Sequence, residues 1–143
     1  MNDTEGALQI LIEARSILSR GWIQGSAYNY ERTAFCAGGA IDRAFQNQGY
    51  TNDREGREIF QLAERAVLQV ACRSWSLPFC NIPMWNDMPG RTKAEVLRTF
   101  DEAITELTKE IEPPKIKKVV IPAPAEQVYA PSIVDRVREL IGV

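Results

Sequence analysis

The chain predicts a mainly α fold: a compact four-helix domain over residues 1–112 with long ordered loops, then a proline-rich C-terminal extension over 113–143 that ends in a short helix. Three observations carry this reading. Apolar side chains recur at helical spacing in four segments, each bounded by capping or breaking residues. Glycine, proline and aromatic residues gather in the stretches between them. From Pro113-Pro114 onward the composition shifts to lysine alternating with Ile/Val, with further prolines, as in an extended linker or a strand.

The first helix is expected over residues 4–19, where Ala7, Leu8, Leu11, Ala14, Ile17 and Leu18 form one stripe. Asp3 or Thr4 can cap its start, and Gly21 offers a left-handed terminating residue. Trp22 to Arg32 has no period and reads as a loop or a short extended segment. A second helix is expected over 33–47, with a face of small residues between Ala34 and Ala44, ended by Gly49. Thr51-Asn52-Asp53 then caps a third over 54–74, with Ile59, Phe60, Ala63, Val67, Val70 and Ala71 as its buried stripe.

Residues 75–91 lack helical periodicity and contain three prolines, so they read as one long ordered loop. Thr92, with Glu95 three residues later, forms a capping-box pattern that opens the most regular helix. Val96, Leu97, Phe100, Ala103, Ile104, Leu107 and Ile111 hold one face of it until Pro113. Ser132 to Ile141 has amphipathic spacing but only ten residues, too few for a stable isolated helix, so it must dock in cis or on a partner.

Composition narrows the function classes. A 143-residue chain with 45% hydrophobic and 25% charged residues suits a soluble globular protein. Residues 1–112 carry 12 basic and 16 acidic side chains, a net of −4, while 113–143 carry 5 and 3, a net of +2. An acidic body disfavours nucleic acid, which needs a broad basic face. No apolar run approaches the roughly 20 residues of a membrane span, and Met-Asn-Asp-Thr-Glu does not begin a signal peptide. Cys36, Cys72 and Cys80 match no zinc or redox spacing, and histidine is absent. The expectation is three free thiols in a reducing cytoplasm, with neither metal nor cofactor.

Without histidine, a cysteine or carboxylate mechanism lacks the commonest base, and no catalytic residue is assigned. Cys36, near a helix start, reads as a small buried hydrophobe rather than a reactive thiolate. Gly38-Gly39 lacks the Lys-Ser/Thr of a phosphate-binding loop, so close helix–helix contact is the better account. Asp101 and Glu102 read as solvated charge on the outer face of the last helix.

Trp85-Asn86-Asp87-Met88-Pro89-Gly90-Arg91-Thr92 holds the densest mixture of aromatic, amide, carboxylate and guanidinium groups. One reading sets Asn86, Asp87 and Arg91 around a polar ligand, with Trp85 as a stacking wall. In the other, Asp87 or Asn86 bonds its own turn, Trp85 fills the core and Arg91 neutralises Asp87. Trp22, Gln24, Tyr28 and Tyr30 would line a pocket with this turn if the two irregular segments meet at one end of the bundle; otherwise the aromatics are lids on the core.

The order of features resembles a family of small uncharacterised proteins of bacteria and their phages. Gly21-Trp22 is followed by Gln24-Gly25 and Tyr28, then Phe35-Cys36-Ala37-x-Gly39-Ala40, then Trp85-Asn86-Asp87 with Arg91-Thr92, Glu95-Val96 and Ala103-Ile104. The resembling family has a Trp/Phe-Cys-x-x-Gly-Ala segment and a Trp-Asn-Asp turn before a Thr-x-x-Glu-Val helix. The likeness spans about residues 7–107 and implies an intracellular domain in bacterial or mobile-element genomes, with no activity attached.

The functional expectation is a non-enzymatic binding protein whose Trp22, Tyr28, Trp85, Asn86, Asp87 and Arg91 meet a host protein or a small molecule. An enzyme using Asp87 as base and Arg91 as clamp is the first alternative; it requires Asp87 in a closed pocket. A structural module that forms homo-oligomers by exchanging residues 113–143 is the second.

Overall fold

The computed structural model describes residues 2–73 and 81–111, and within them the fold is helical. Five helices follow in order: α1 (Asp3–Arg20), α2 (Ala37–Asn47), α3 (Arg54–Ala71), α4 (Ile82–Asn86) and α5 (Lys93–Ile111). The expected extension over 113–143, with its terminal helix and its proposed role in oligomerisation, lies outside the described residues, as does Cys80.

α1 is the hub, packing against α2, α3 and α5. Its stripe buries Ala7, Ile10, Leu11, Ala14, Ile17 and Leu18. Facing it are Ala40, Ile41 and Ala44 of α2, Ile59, Ala63 and Val67 of α3, and Val96, Phe100, Ala103 and Leu107 of α5. Alanines on every face let the helices approach closely, while Phe100, Ile10, Leu11 and Leu18 fill the volume between them.

Most helix ends follow the sequence, with instructive shifts. α1 is capped one residue earlier than expected, by Asn2, whose side chain accepts from Glu5 N–H while Glu5 bonds back to Asn2 N–H. Gly21 is extended at φ 176°, not left-handed. Glycine is needed there because a Cβ would lie 2.3 Å from the Thr33 carbonyl oxygen. α2 begins at Ala37 rather than Thr33, since the preceding residues are drawn into pairing with the loop. Asp53 caps α3 through Gly56 N–H, and Thr92 and Glu95 form the expected reciprocal box at α5.

Two further corrections concern the long loop and the cysteines. Within 75–91 the chain forms α4, a single turn capped by the Asn81 side chain on Met84 N–H, with Pro83 in its first turn. Five residues are too few to leave an amphipathic period, but the Asn-x-Pro start was available. Cys72 is disulfide-bonded, which overturns the expectation of three free thiols and removes that argument for a reducing compartment. Cys36 is free and buried. No described helix is long and apolar enough to cross a membrane.

Of the glycine pair on α2, Gly39 serves a close helix–loop contact, while Gly38 makes only an ordinary contact with Ile82 of α4. A Cβ on Gly39 would sit 2.1 Å from the Ala27 carbonyl oxygen, whereas on Gly38 its nearest neighbour is Ile82 Cγ2 at an ordinary 3.7 Å. Gly39→Ala is expected to cost about 1–3 kcal/mol, because backbone must move to admit the methyl group. Gly38→Ala is expected to be neutral or stabilising by up to ~1 kcal/mol through helix propensity. Urea unfolding of the two variants checks the contrast.

Glu64 of α3 is half-buried, and desolvation raises its pKa. A raised folded-state pKa in a carboxyl means that ionisation opposes folding. The penalty is complete above the folded pKa and disappears below the ordinary glutamate value. Glu64→Gln is therefore expected to raise the thermal midpoint at pH 7 and to leave it unchanged near pH 3.

Candidate functional site

The sequence marks two irregular stretches, 22–32 and 75–91; in the structure they correspond to 21–36 and 81–92, and the fold brings these together. The first is a closed loop. Phe35 N–H donates to Gly21 O (3.0 Å), Ile23 N–H to Phe35 O (3.1 Å) and Cys36 N–H to Ala27 O (3.0 Å). Phe35 thus makes a parallel bridge with Trp22 and an antiparallel one with Tyr28. Asn29 staples the tip: its N–H reaches Ala34 O (3.0 Å) and its Oδ1 accepts from Thr33 N–H (2.8 Å) and Ala34 N–H (3.1 Å). Arg32 sits in this tip at φ 59°, a left-handed conformation that a non-glycine residue rarely holds unless its surroundings fix it.

Asn86, at the end of α4, joins the stretches. It is fully buried, and both ends of its amide are engaged. Oδ1 accepts from Trp22 Nε1 (2.7 Å) and from Ala37 N–H (2.9 Å), one of the donors that a helix start leaves unpaired. Nδ2 donates to Ile23 O (3.1 Å) and to Asp87 Oδ1 (2.9 Å). Asp87 Oδ1 also accepts from Gly25 N–H (2.9 Å), while Gln24 Nε2 donates to Asn86 O (3.0 Å) and Met88 O (2.9 Å). Gln24, expected with Trp22, Tyr28 and Tyr30 along a pocket, thus spends its amide on the backbone of the 81–92 stretch.

The six expected residues therefore divide. Trp22, Trp85, Asn86, Asp87 and Arg91 come together, but largely through bonds to one another and to backbone. Trp85 is 2% exposed, and Arg91 covers its ring, with the guanidinium carbon 4.7 Å from the centroid. Arg91 Nε donates to Trp85 O (3.0 Å) and Nη1 lies 3.6 Å from Glu95, so it does not neutralise Asp87. Asp87 is exposed and tied to the loop, not held in a closed pocket. Tyr28 is set apart: 44% exposed, it rests its ring on Phe35 with centroids 6.1 Å apart and carries Arg32 over its face at 4.6 Å.

Clefts flank the loop. One of about 370 Å³ lies between Gly25–Ala27, Cys36, Gly39, Asp42 and Asp87. Here Cys36 acts as a helix cap, its Sγ accepting from Gly39 N–H at 3.2 Å. Another, about 450 Å³, is bounded by Ile17, Arg20, Arg32, Thr33, Phe35, Arg43 and Asn47. Sequence reasoning missed these arginines because they come from α1, the loop and α2, and no local spacing links them. Asp101 and Glu102, expected as solvated charge, are exposed and pair with Arg15 and Arg73. Among the described residues no cluster of His, Cys, Asp or Glu could hold a metal ion.

The chain belongs to a family of unknown function, DUF6197, whose model matches residues 2–106. No curated protein and no solved structure matches it. The matched span contains all of α1 to α4 and both irregular stretches.

The hydrogen-bond geometry ranks the site residues by structural cost. Asn86→Ala strands the buried Ala37 N–H and the part-buried Trp22 and Ile23 groups, and is expected to cost about 3 kcal/mol or more. Asn86→Asp keeps the shape but loses the donor facing Ile23 O, and should cost as much. Asp87→Ala, where water can replace the lost acceptor, should cost about 1 kcal/mol. Equal losses for Asn86→Ala and Asp87→Ala in chemical denaturation would show that burial of the amide is not the deciding factor.

Proposed function

We propose that this chain is a non-enzymatic binding protein and that the 21–36 loop is its ligand-facing element. The observation that carries the reading is the division of labour among the polar residues. The Asn86 network fixes the base of the loop, while Tyr28, Tyr30 and Arg32 face solvent from its tip, Tyr30 being 97% exposed. A loop stapled internally and anchored to a rigid scaffold presents side chains at little entropic cost on binding. In this reading Trp22, Trp85, Asn86, Asp87 and Arg91 position the site, and Tyr28 contacts the ligand.

The geometry of Asp87 favours binding over catalysis. Its carboxylate is exposed and already accepts two hydrogen bonds through Oδ1, so it is not enclosed against a substrate as a general base would be. The resemblance to small bacterial and phage proteins, which brings no activity with it, is the support for an intracellular, mobile-element setting; the ligand proposed is a small molecule or a host protein.

Native mass spectrometry of the protein purified from its own host tests the reading. The wild type is expected to carry an additional mass that Tyr28→Ala loses, while circular dichroism confirms that the variant remains folded. Wild-type protein with no bound species, or a bound species indifferent to Tyr28→Ala, would remove the loop as the ligand-facing element.

A further inference from the structure

Resting on that binding reading, we infer that the cleft beside the loop tip takes a small phosphate-bearing molecule, with Arg20, Arg32 and Arg43 on the phosphate and Phe35 and Ile17 against its less polar part. The residues that bound this cleft include three arginines and no carboxylate. That is unexpected in a domain whose residues 1–112 have a net charge of −4. Among the described residues none of the three is ion-paired, a state they share with Arg57, Arg65 and Arg98, but only these three meet at one cleft.

Each arginine is presented by a different element, and two are held in place. Arg20 ends α1, with Nη1 donating to Ser16 Oγ at 2.9 Å. Arg32 is fixed by its left-handed backbone, by the Asn29 staple, and by Tyr28, whose ring lies beneath the guanidinium and whose hydroxyl accepts from Nη2 at 3.3 Å. Arg43 projects from α2 and is exposed. A second, smaller cleft of about 180 Å³ shares Arg32, Phe35 and Arg43 and continues to Asp42, whose carboxylate is engaged by Gln46 Nε2 at 2.8 Å. Glu13 is similarly engaged, by Asn47 Nδ2 and Gln48 Nε2.

The donor set selects the ligand class. A guanidinium fork matches a pair of oxygens, and one fork suffices for a carboxylate. Three cations around one cleft suit a dianionic group with three terminal oxygens. Thr33 adds a hydroxyl to the rim, Asn47 has its Nδ2 committed to Glu13, and Phe35 supplies an aromatic wall. At about 450 Å³ the cleft exceeds a bare phosphate and falls within the range of small-molecule sites.

Isothermal titration of the full chain at low ionic strength tests this with adenosine 5′-monophosphate, inorganic phosphate, adenosine and succinate. The expected result is saturable binding of the monophosphate, weaker binding of inorganic phosphate, no heat from adenosine or succinate, and affinity that falls as salt rises. Arg43→Gln and Arg32→Gln should each weaken the monophosphate by about 10-fold, the loss of one charged hydrogen-bonding group. Arg98→Gln, exposed on α5 and outside the cleft, should leave it unchanged. Absence of saturable binding by either phosphate compound would overturn the proposal, as would succinate binding equal to phosphate, or arginine variants that match Arg98→Gln. A mass retained through Tyr28 in the native spectra, together with no phosphate binding, would leave the binding reading standing and reject only the ligand class.

Discussion

The buried amide of Asn86 is the constraint on which the rest of this structure depends. A fully desolvated carboxamide is tolerable only when its oxygen and its nitrogen are both engaged, because an unmet polar group in the interior costs about 1–3 kcal/mol. Here the oxygen holds an indole N–H and the first backbone N–H of α2, while the nitrogen holds a loop carbonyl and the Asp87 carboxylate. Four groups, two from the loop, one from the start of α2 and one from the next residue in the chain, are thereby fixed to one side chain. None can move without exposing a donor or acceptor of another, so the network acts as a unit.

Backbone-on-backbone packing extends this constraint to the loop. Gly21 and Gly39 lie so close to Thr33 and Ala27 that neither position admits a Cβ. These approaches bring the loop onto α2 tightly enough for Cys36 and Phe35 to bond with Ala27 and Gly21. Phe35 then serves two purposes, being buried in the core and forming part of the wall of both arginine-bearing clefts. The left-handed Arg32 belongs to the same tightly bonded tip, where Asn29 accepts from the two residues that follow it.

Charge is distributed on different terms. The ion pairs of Arg15 with Asp101 and of Arg73 with Glu102 and Glu106 bridge neighbouring segments at exposed positions, where such pairs contribute little stability. Arg91 is closer to a structural element, since its guanidinium lies on Trp85 and bonds that residue's carbonyl. The cleft of Arg20, Arg32 and Arg43 follows neither pattern. Among the described residues it concentrates positive charge without a partner carboxylate in an acidic domain, and this contrast gives it functional interest.

By itself, the sequence determined the helical class, the core stripes of α1, α3 and α5, and the Asp53 and Thr92–Glu95 caps. All of these are local patterns with a period of 3.6 residues or a fixed cap spacing. It also marked the Trp22–Tyr28 and Trp85–Arg91 stretches as places where unusual chemistry concentrates. Only the tertiary structure decided what that chemistry does. Asn86 and Trp22 are 64 residues apart, and Asn86 and Ala37 are 49 apart, so no local spacing announces their bonds. The start of α2 moved to Ala37 because pairing with Gly21 and Ala27 outcompeted helix propensity at Phe35 and Cys36. The arginine cleft was invisible for the same reason: three ordinary surface residues become a site only when three separate elements bring them to one hollow.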